Sequence, residues 1–266
     1  MSMEIPFSRW YEAIWIRRSR RLFNSRLIDS NTGERLHNVC KEFNPFSGVR
    51  AVFVNRPPDK VFKGIVLHYG KIRGAPAIIA FIGDMNTPHI HEKLGYVGEG
   101  IVLEATAMNL GTCWVGVSFR PELISSFITI KKNEKILAVT PVGYTREKWS
   151  LEERIMTGFG RTHKREPLEN LLAGGREESW PEWIKPALEA ARVAPSAVNR
   201  QPWRFTVKSD SITVSVNNLR DTLNISKRLD CGIAMLHIEV ASLQSGMNGA
   251  WEFLDSPHVA RFSSVR

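Results

Sequence analysis

Residues 194–203 read Ala194-Pro195-Ser196-Ala197-Val198-Asn199-Arg200-Gln201-Pro202-Trp203, and the meaning of this stretch decides the fold. An apolar, helix-like run from Trp183 to Val193 leads into it, and a strand-like run from Phe205 to Val207 leaves it. Pro195 and Pro202 bar regular helix and central strand at their own positions, because proline lacks the amide donor and fixes φ. Between them Ser196, Asn199 and Gln201 carry hydroxyl and amide groups that pair equally well with a planar heterocycle or with backbone. Two readings are open. The loop holds an aromatic polar ligand beside a tryptophan, or it is a helix stop and turn with Asn and Ser as local caps.

Outward from the loop, the chain has 266 residues, 43% of them hydrophobic and 24% charged, an ordinary globular composition. That length suits one large domain or two small ones and buries about 70–75% of the unfolded surface, so no covalent staple is needed. Cys40, Cys113 and Cys231 are too widely spaced for a zinc or redox pattern and fit reduced cytosolic thiols. No apolar run approaches the length of a membrane span, and no apolar N-terminal segment precedes a cleavage site. A cytoplasmic protein without a membrane partner is expected. The net charge of +9 favours phosphate-bearing partners. It would also suit nucleic acid, but no nucleic-acid motif is present and none is expected to bind.

Ser8 to Ile16 is expected as a short helix capped by Ser8, with Trp10, Ala13 and Ile14 at helical spacing. It runs into Arg17-Arg18-Ser19-Arg20-Arg21, which either holds a phosphate with side-chain cations or forms a solvated basic turn. Asn44 to Gly48 reads as a turn, Val49 to Val54 as a strand and Ala77 to Ile82 as a buried strand. His91 to Leu110 is the longest expected helix. Leu94, Val97, Ile101, Ala105 and Met108 form its apolar face, Gly98 and Gly100 allow another helix close, and Gly111 stops it. His89 and His91 lie two apart beside Glu92, but no third ligand is evident and no metal is expected. Cys113 has no histidine tied to it and reads as a buried thiol. Further on come a strand at Ile136–Tyr144, an irregular crossing at Trp149–Gly160, a linker at Leu172–Glu178 and a helix at Trp180–Val193. Ile212–Val216 alternates as a strand, Ile233, Leu236, Val240, Leu243 and Met247 mark a second long helix, and Ala250–Leu254 and Val259–Val265 close the chain.

The 194–203 stretch resembles the flavin-contacting loop of the nitroreductase-like FMN enzymes. In that family the loop comes from one subunit of a tight dimer and touches the flavin ring held by the other. The resemblance implies that Ser196, Asn199 and Gln201 bond the polar edge of the ring, with Pro195 and Ala197 packed on it. Arg17, Arg18, Ser19 and Arg21 match the family's opening Arg-Arg-Ser-x-Arg segment, which implies contacts to the FMN phosphate and ribityl chain. Asn109 to Trp114 is similar to the segment that passes over the flavin edge. That likeness places Trp114 there and implies that Gly116 or a neighbour presents an N–H to N5. Lys164 and Arg165, ahead of Pro167-Leu168, stand where the family's closing basic residues return to the phosphate.

In the family the loop lies early, whereas here it lies near residue 200, and the early position, residues 43–48, lacks the Ser-x-Asn-x-Gln pattern. Asp230-Cys231-Gly232-Ile233-Ala234 resembles the start of the family's dimer-interface helix and echoes Gly98 to Ala105. The chain is therefore expected to hold two unequal copies of one unit, residues 1–172 and 176–266, with complementary losses. The expected architecture is α/β (α+β) of the nitroreductase-like type: a fused pseudo-dimer, monomeric, with one FMN site. Only Gly83 to Ile90 stands where the family places substrate-covering helices, so the cover is expected to be reduced or supplied from elsewhere. The implied activity is ping-pong hydride transfer from NAD(P)H through FMN to a small nitroaromatic or quinone-like acceptor, with no acid–base residue assigned to the protein. The alternative is a flavin-binding storage or sensor protein of the same fold.

Overall fold

The computed structural model describes residues 3–57, 60–62, 71–146, 164–174 and 180–265. The crossing expected at Trp149–Gly160, the basic residues Arg161 and His163 that precede Lys164, and the later part of the 172–178 linker lie outside them.

Helix α1 (Phe7–Ile16) buries Trp10, Ala13 and Ile14 as their spacing requires. Ser8 is not its cap. The helix starts one residue earlier, Pro6 takes the cap position, and no side chain satisfies the first amides. Helix α2 (Ser30–Glu42) has no counterpart among the elements expected from sequence. Only Leu36, Val39 and Cys40 are buried in an otherwise polar run, too few for periodicity to stand out. Its start is nevertheless well marked, since the Asp29 side chain accepts from the Thr32 amide.

Strands β1 (Val49–Asn55) and β2 (Ala77–Asp84) follow, and β2 is buried along its whole length except Asp84. Helix α3 (Ile90–Ala107) is buried on nearly every side, the mark of a central helix. It stops before Gly111: Asn109 takes the left-handed conformation, φ +59, that a helix end requires, and asparagine tolerates it. Gly111 instead opens the two-residue strand β3 (Gly111–Thr112), which pairs with β4 (Glu134–Gly143). A short helix, α4 (Pro121–Ser125), lies between them. The first sheet has the order β1-β2-β4-β3, and every pair is antiparallel.

The second half repeats this plan. Helix α5 (Ile184–Arg192) begins four residues after Trp180, with Pro186 in its first turn, where a missing N–H costs nothing. Then come β5 (Trp203–Lys208), β6 (Ser211–Val216), α6 (Lys227–Gln244), β7 (Gly249–Phe253) and β8 (His258–Ser264). The second sheet has the order β5-β6-β8-β7, again antiparallel throughout. Element for element, α2-β1-β2-α3-β3-β4 corresponds to α5-β5-β6-α6-β7-β8. Even the irregularity recurs, between Phe81 and Ile82 in β2 and between Val214 and Ser215 in β6.

Helices α3 and α6 have 18 residues each and pack on one another at the centre. A Cβ on Gly95 would collide with the carbonyl oxygen of Leu229, and a Cβ on Gly232 with that of Glu92. In both cases the carbonyl lies three residues before the other glycine, so the contact reads identically from either helix, as in a two-fold subunit interface. Gly98 and Gly100 serve differently from expectation: they admit rings, the Trp114 indole against Gly98 and Phe43 with Trp10 against Gly100. One core runs through both halves, from Trp10 and Phe81 to Trp203 and Phe262. The tail of the first half also crosses over: Leu172 bridges to Phe205 and the Ala173 amide donates to the Phe205 carbonyl at 2.8 Å. Among the described residues no helix is long and apolar enough to cross a membrane.

Candidate functional site

A cleft of about 320 Å³ opens where the end of α1, residues 113–117, the loop after α5 and the first turns of α6 meet. Arg17, Arg18, Ser19, Arg21, Trp114, Gly116, Arg165, Pro195, Ser196, Ala197 and Asn199 all line it. Segments almost 180 residues apart in sequence thus share one cavity, with contributions from both halves.

The arginines take distinct places because α1 ends at Ile16. Arg17 closes the helix through its backbone, its amide donating to Ala13 O, and its side chain turns inward to 5% exposure. Its Nε lies 3.6 Å from Glu99 Oε1, and among the described residues neither Nε nor Nη1 has a hydrogen-bond partner. Burial lowers the Arg17 pKa, while Glu99 opposes that shift. A buried cation bordering a cavity is stabilised by an anion placed there. Arg18 is exposed, and its Nη1 donates to the carbonyls of Trp15 and Arg17 at 2.9 and 2.8 Å, capping the helix end. Arg20 leaves the group altogether and donates to Arg146 O. Arg165, half-buried, donates to Asn199 Oδ1 and to Val193 O. Burial foremost, then the like charges of Arg17, Arg18 and Arg192, push its pKa down to about 10.

The loop after α5 is held in an unfavourable backbone conformation. Val198, Asn199 and Gln201 have φ of +47, +54 and +45. For a β-branched valine this is a genuine outlier, and such outliers persist only where the surroundings enforce them. The surroundings here are amide contacts. Asn199 Nδ2 donates to Lys164 O at 2.9 Å, Gln201 Nε2 donates to the same carbonyl at 3.2 Å, and Gln201 Oε1 accepts from the Glu166 amide at 2.9 Å. Ser196 Oγ accepts from the Gln201 amide at 3.0 Å. Gln201 and Lys164 therefore do not line the cleft. Gln201 fastens the 164–166 segment to the loop, and Lys164 contributes its carbonyl while its side chain stays exposed.

Three functional groups escape a reading of the sequence. Asp230, in the first turn of α6, lines the cleft at 2% exposure and accepts from Ala197 N and, at 2.7 Å, from Arg200 Nε. Burial raises its pKa to about 6 against the opposing pull of Arg200. Glu99 and His237 form the others, on the facing helices α3 and α6. Glu99 Oε2 accepts from Trp114 Nε1 at 2.7 Å, and Oε1 lies 3.0 Å from His237 Nε2. His237 Nδ1 meets Ala190 O at 2.8 Å, and a carbonyl only accepts, so Nδ1 carries hydrogen. The usable signal was a glutamate and a histidine set among apolar residues of two long helices, but their partners are 138 residues apart.

A Cβ on Gly116 would lie 2.8 Å from Ile225 Cδ1, so the glycine lets the Ile225 side chain pack directly on the backbone there. Ile225 and Leu223, from the loop between β6 and α6 in the second half, line the same cleft. Cys113 is buried beside it, as expected of an inert thiol, with its amide donating to Thr140 Oγ1. His89 Nδ1 contacts Glu92 at 2.9 Å, and among the described residues no three His, Cys, Asp or Glu side chains gather as metal ligands.

The two-fold relation also locates a counterpart of the cleft. Matching Gly95 to Gly232 sets Tyr96 against Ile233, and matching Trp114 to Trp251 sets Gly116 against Phe253. There the rings fill the space: Phe46, in the turn before β1, lies 5.1 Å from Tyr96 and 5.3 Å from Phe253, both edge-on, and His89 stacks on Phe253 at 5.4 Å.

The family model described as "Putative TM nitroreductase" matches residues 9–242. Among solved structures, a protein described as a putative nitroreductase from Thermotoga maritima msb8 is 21% identical over 96% of this chain and 93% of its own, with a TM-score of 0.65. At that identity the likeness shows the fold. A nitroreductase family protein from Clostridium difficile 630 is 18% identical over 64% of this chain and 98% of its own, with a TM-score of 0.44. A nitroreductase with bound FMN from Bacteroides fragilis NCTC 9343 is 16% identical over 53% and 91%, with a TM-score of 0.43. No curated protein matches the chain.

Proposed function

The chain belongs to this nitroreductase family and has its mixed α/β fold, and from that premise we propose that it is an FMN-dependent oxidoreductase drawing on NAD(P)H. Its acceptor is a small nitroaromatic or quinone-like molecule. The observation that carries this reading is Arg17: a buried cation, about 5% exposed, that borders a cleft built from both halves. That charge suits a phosphate, and Arg18 and Arg165 add positive charge to the same cavity. The part of the cleft lined by Trp114, Gly116 and Ile225 would take the ring. Bound there, FMN supplies a reversible two-electron carrier between nicotinamide and acceptor. The protein's part is to hold and orient: Arg17 and Arg18 at the phosphate end, Pro195, Ser196 and Ala197 along the ring, and Asn199 bracing Arg165 from behind.

The chain acts as two diverged copies of one unit with a single site. The rings of Phe46, Tyr96 and Phe253 support this stoichiometry, because they fill the counterpart position. Fluorescence titrations with FMN and with riboflavin, on the natural chain and on Arg17→Ala, test the reading. A charge-assisted contact is worth about 1.5–3 kcal/mol, so FMN binding weakens at least about tenfold while riboflavin binding stays nearly unchanged. Saturation occurs at one FMN per chain. Equal losses for the two flavins would take Arg17 out of the phosphate role, and two equivalents bound would end the single-site reading. Steady oxidation of NADPH or NADH by the flavin-loaded chain in the presence of a quinone separates an enzyme from a flavin store.

A further inference from the structure

The loop that covers the cleft carries a residue in a conformation its type avoids. Thr222 O accepts from the Ile225 amide at 3.1 Å, closing a four-residue turn. Its central residues, Leu223 and Asn224, have φ of +59 and +56. Two positive φ values in succession are what asparagine and glycine adopt at such turns. Asn224 suits the position. Leu223 does not, because its Cβ crowds the backbone there. Burial does not compensate, since Leu223 is 40% exposed. What Leu223 does is line the cleft, next to Ile225, whose side chain stands over Gly116. From α1, Trp15 lines the same cleft and is 37% exposed. The exposed parts of the lining thus include an isobutyl group and an indole, while Arg17 and Asp230 lie buried.

We infer that Leu223 is a specificity-determining residue for the oxidising substrate: together with Trp15 it forms an apolar rim that selects flat, fused-ring, apolar acceptors over small polar ones. This rests on the flavin reading above. The physical reason is that apolar contact scales with area removed from water, and a two-ring acceptor covers the isobutyl and indole surfaces more fully than a one-ring acceptor. A rim of this kind discriminates modestly, because one or two hydrophobic contacts separate substrates by roughly 10–200-fold. It also explains why a leucine sits where the turn itself favours asparagine or glycine. Strain at a ligand site that nothing in the fold requires marks a residue placed for its side chain.

The test uses the FMN-loaded full chain with 1,4-naphthoquinone and 1,4-benzoquinone as acceptors. Leu223→Asn relieves the turn and removes the apolar group. Its Tm is expected to rise by a few degrees, as replacements compatible with the backbone do. At the same time the ratio of kcat/KM for naphthoquinone over benzoquinone is expected to fall about tenfold. Leu223→Ala removes the isobutyl group without relieving the backbone, so it loses the same selectivity with no rise in Tm. A fall in Tm for Leu223→Asn would make the leucine a packing residue and overturn the inference. An unchanged quinone ratio in both variants, with FMN bound and turnover intact, would overturn it as well. Failure of the natural chain to bind FMN would instead sink the flavin reading, and this inference with it.

Discussion

At the scale of single residues, Asp230 makes the stability of the protein depend on pH. Its pKa is about 6 in the fold against an ordinary 3.8, because burial penalises the charged form more than Arg200 relieves it. The folded state therefore holds the proton more tightly than the unfolded chain. The stability this brings is complete below 3.8 and is lost as pH rises through about 6, a change on the order of 3 kcal/mol. Asp230→Asn is expected to flatten that fall in urea unfolding measured at several pH values between those limits. A variant whose stability still drops across the window would place the titration elsewhere. Glu99 matters through its contacts: its carboxylate lies 3.6 Å from Nε of the buried Arg17, and it anchors Trp114 and His237 as well. Glu99→Gln keeps an acceptor for the indole but leaves the guanidinium uncompensated, so a loss of about 3–5 kcal/mol is expected in denaturant unfolding. A loss under about 1 kcal/mol, the size of an exposed pair, would mean that Arg17 does not depend on Glu99.

At the scale of elements, the glycines of α3 and α6 decide how closely the helices approach. Alanine at either position improves helix propensity by about 1 kcal/mol, yet its Cβ meets the backbone of the other helix. Overpacking of this kind costs typically 1–3 kcal/mol or more, so Gly95→Ala and Gly232→Ala are both expected to lower Tm. The double variant should lose less than the sum, because one separation of the helices accommodates both methyl groups. Strict additivity would show that the two contacts are independent. The same elements show what the sequence carries by itself. Long apolar runs announced α3, α6, β2 and β4 within a few residues, because burial on most sides leaves little room for polar substitution. Helix α2 stayed hidden because three buried positions do not make a pattern. The end of α3 was misplaced because Asn109 stops a helix as readily as a glycine. Of the cleft, the arginines and the loop were legible as contiguous motifs. Asp230, Glu99, His237 and the Leu223 turn were not, since each matters through neighbours that folding brings from elsewhere in the chain.

At the scale of the whole molecule, α6 of the chain itself packs on the glycine-bearing face of α3, and the proposed fused arrangement makes that pairing internal. Light scattering on the full chain is therefore expected to give 30.1 kDa, and a stable species of twice that mass would count against the fused arrangement. A chain ending at Gly174 keeps α3 but loses α6, so it is expected to self-associate through the exposed helix and to bind FMN poorly even though it retains Arg17. A monodisperse, FMN-binding fragment would refute this. The pairing of α3 with α6 also has a consequence in time. During synthesis at about 5–20 residues per second, on the order of ten seconds pass between the completion of Ala107 and the first residue of α6. For that interval the most apolar helix of the newborn chain waits without its mate, a ready target for holding chaperones. Two separate subunits would wait for a chance encounter, and the delay would lengthen as the protein became scarce. Here the ribosome sets the clock, and the wait is the same for the first molecule in the cell as for the thousandth.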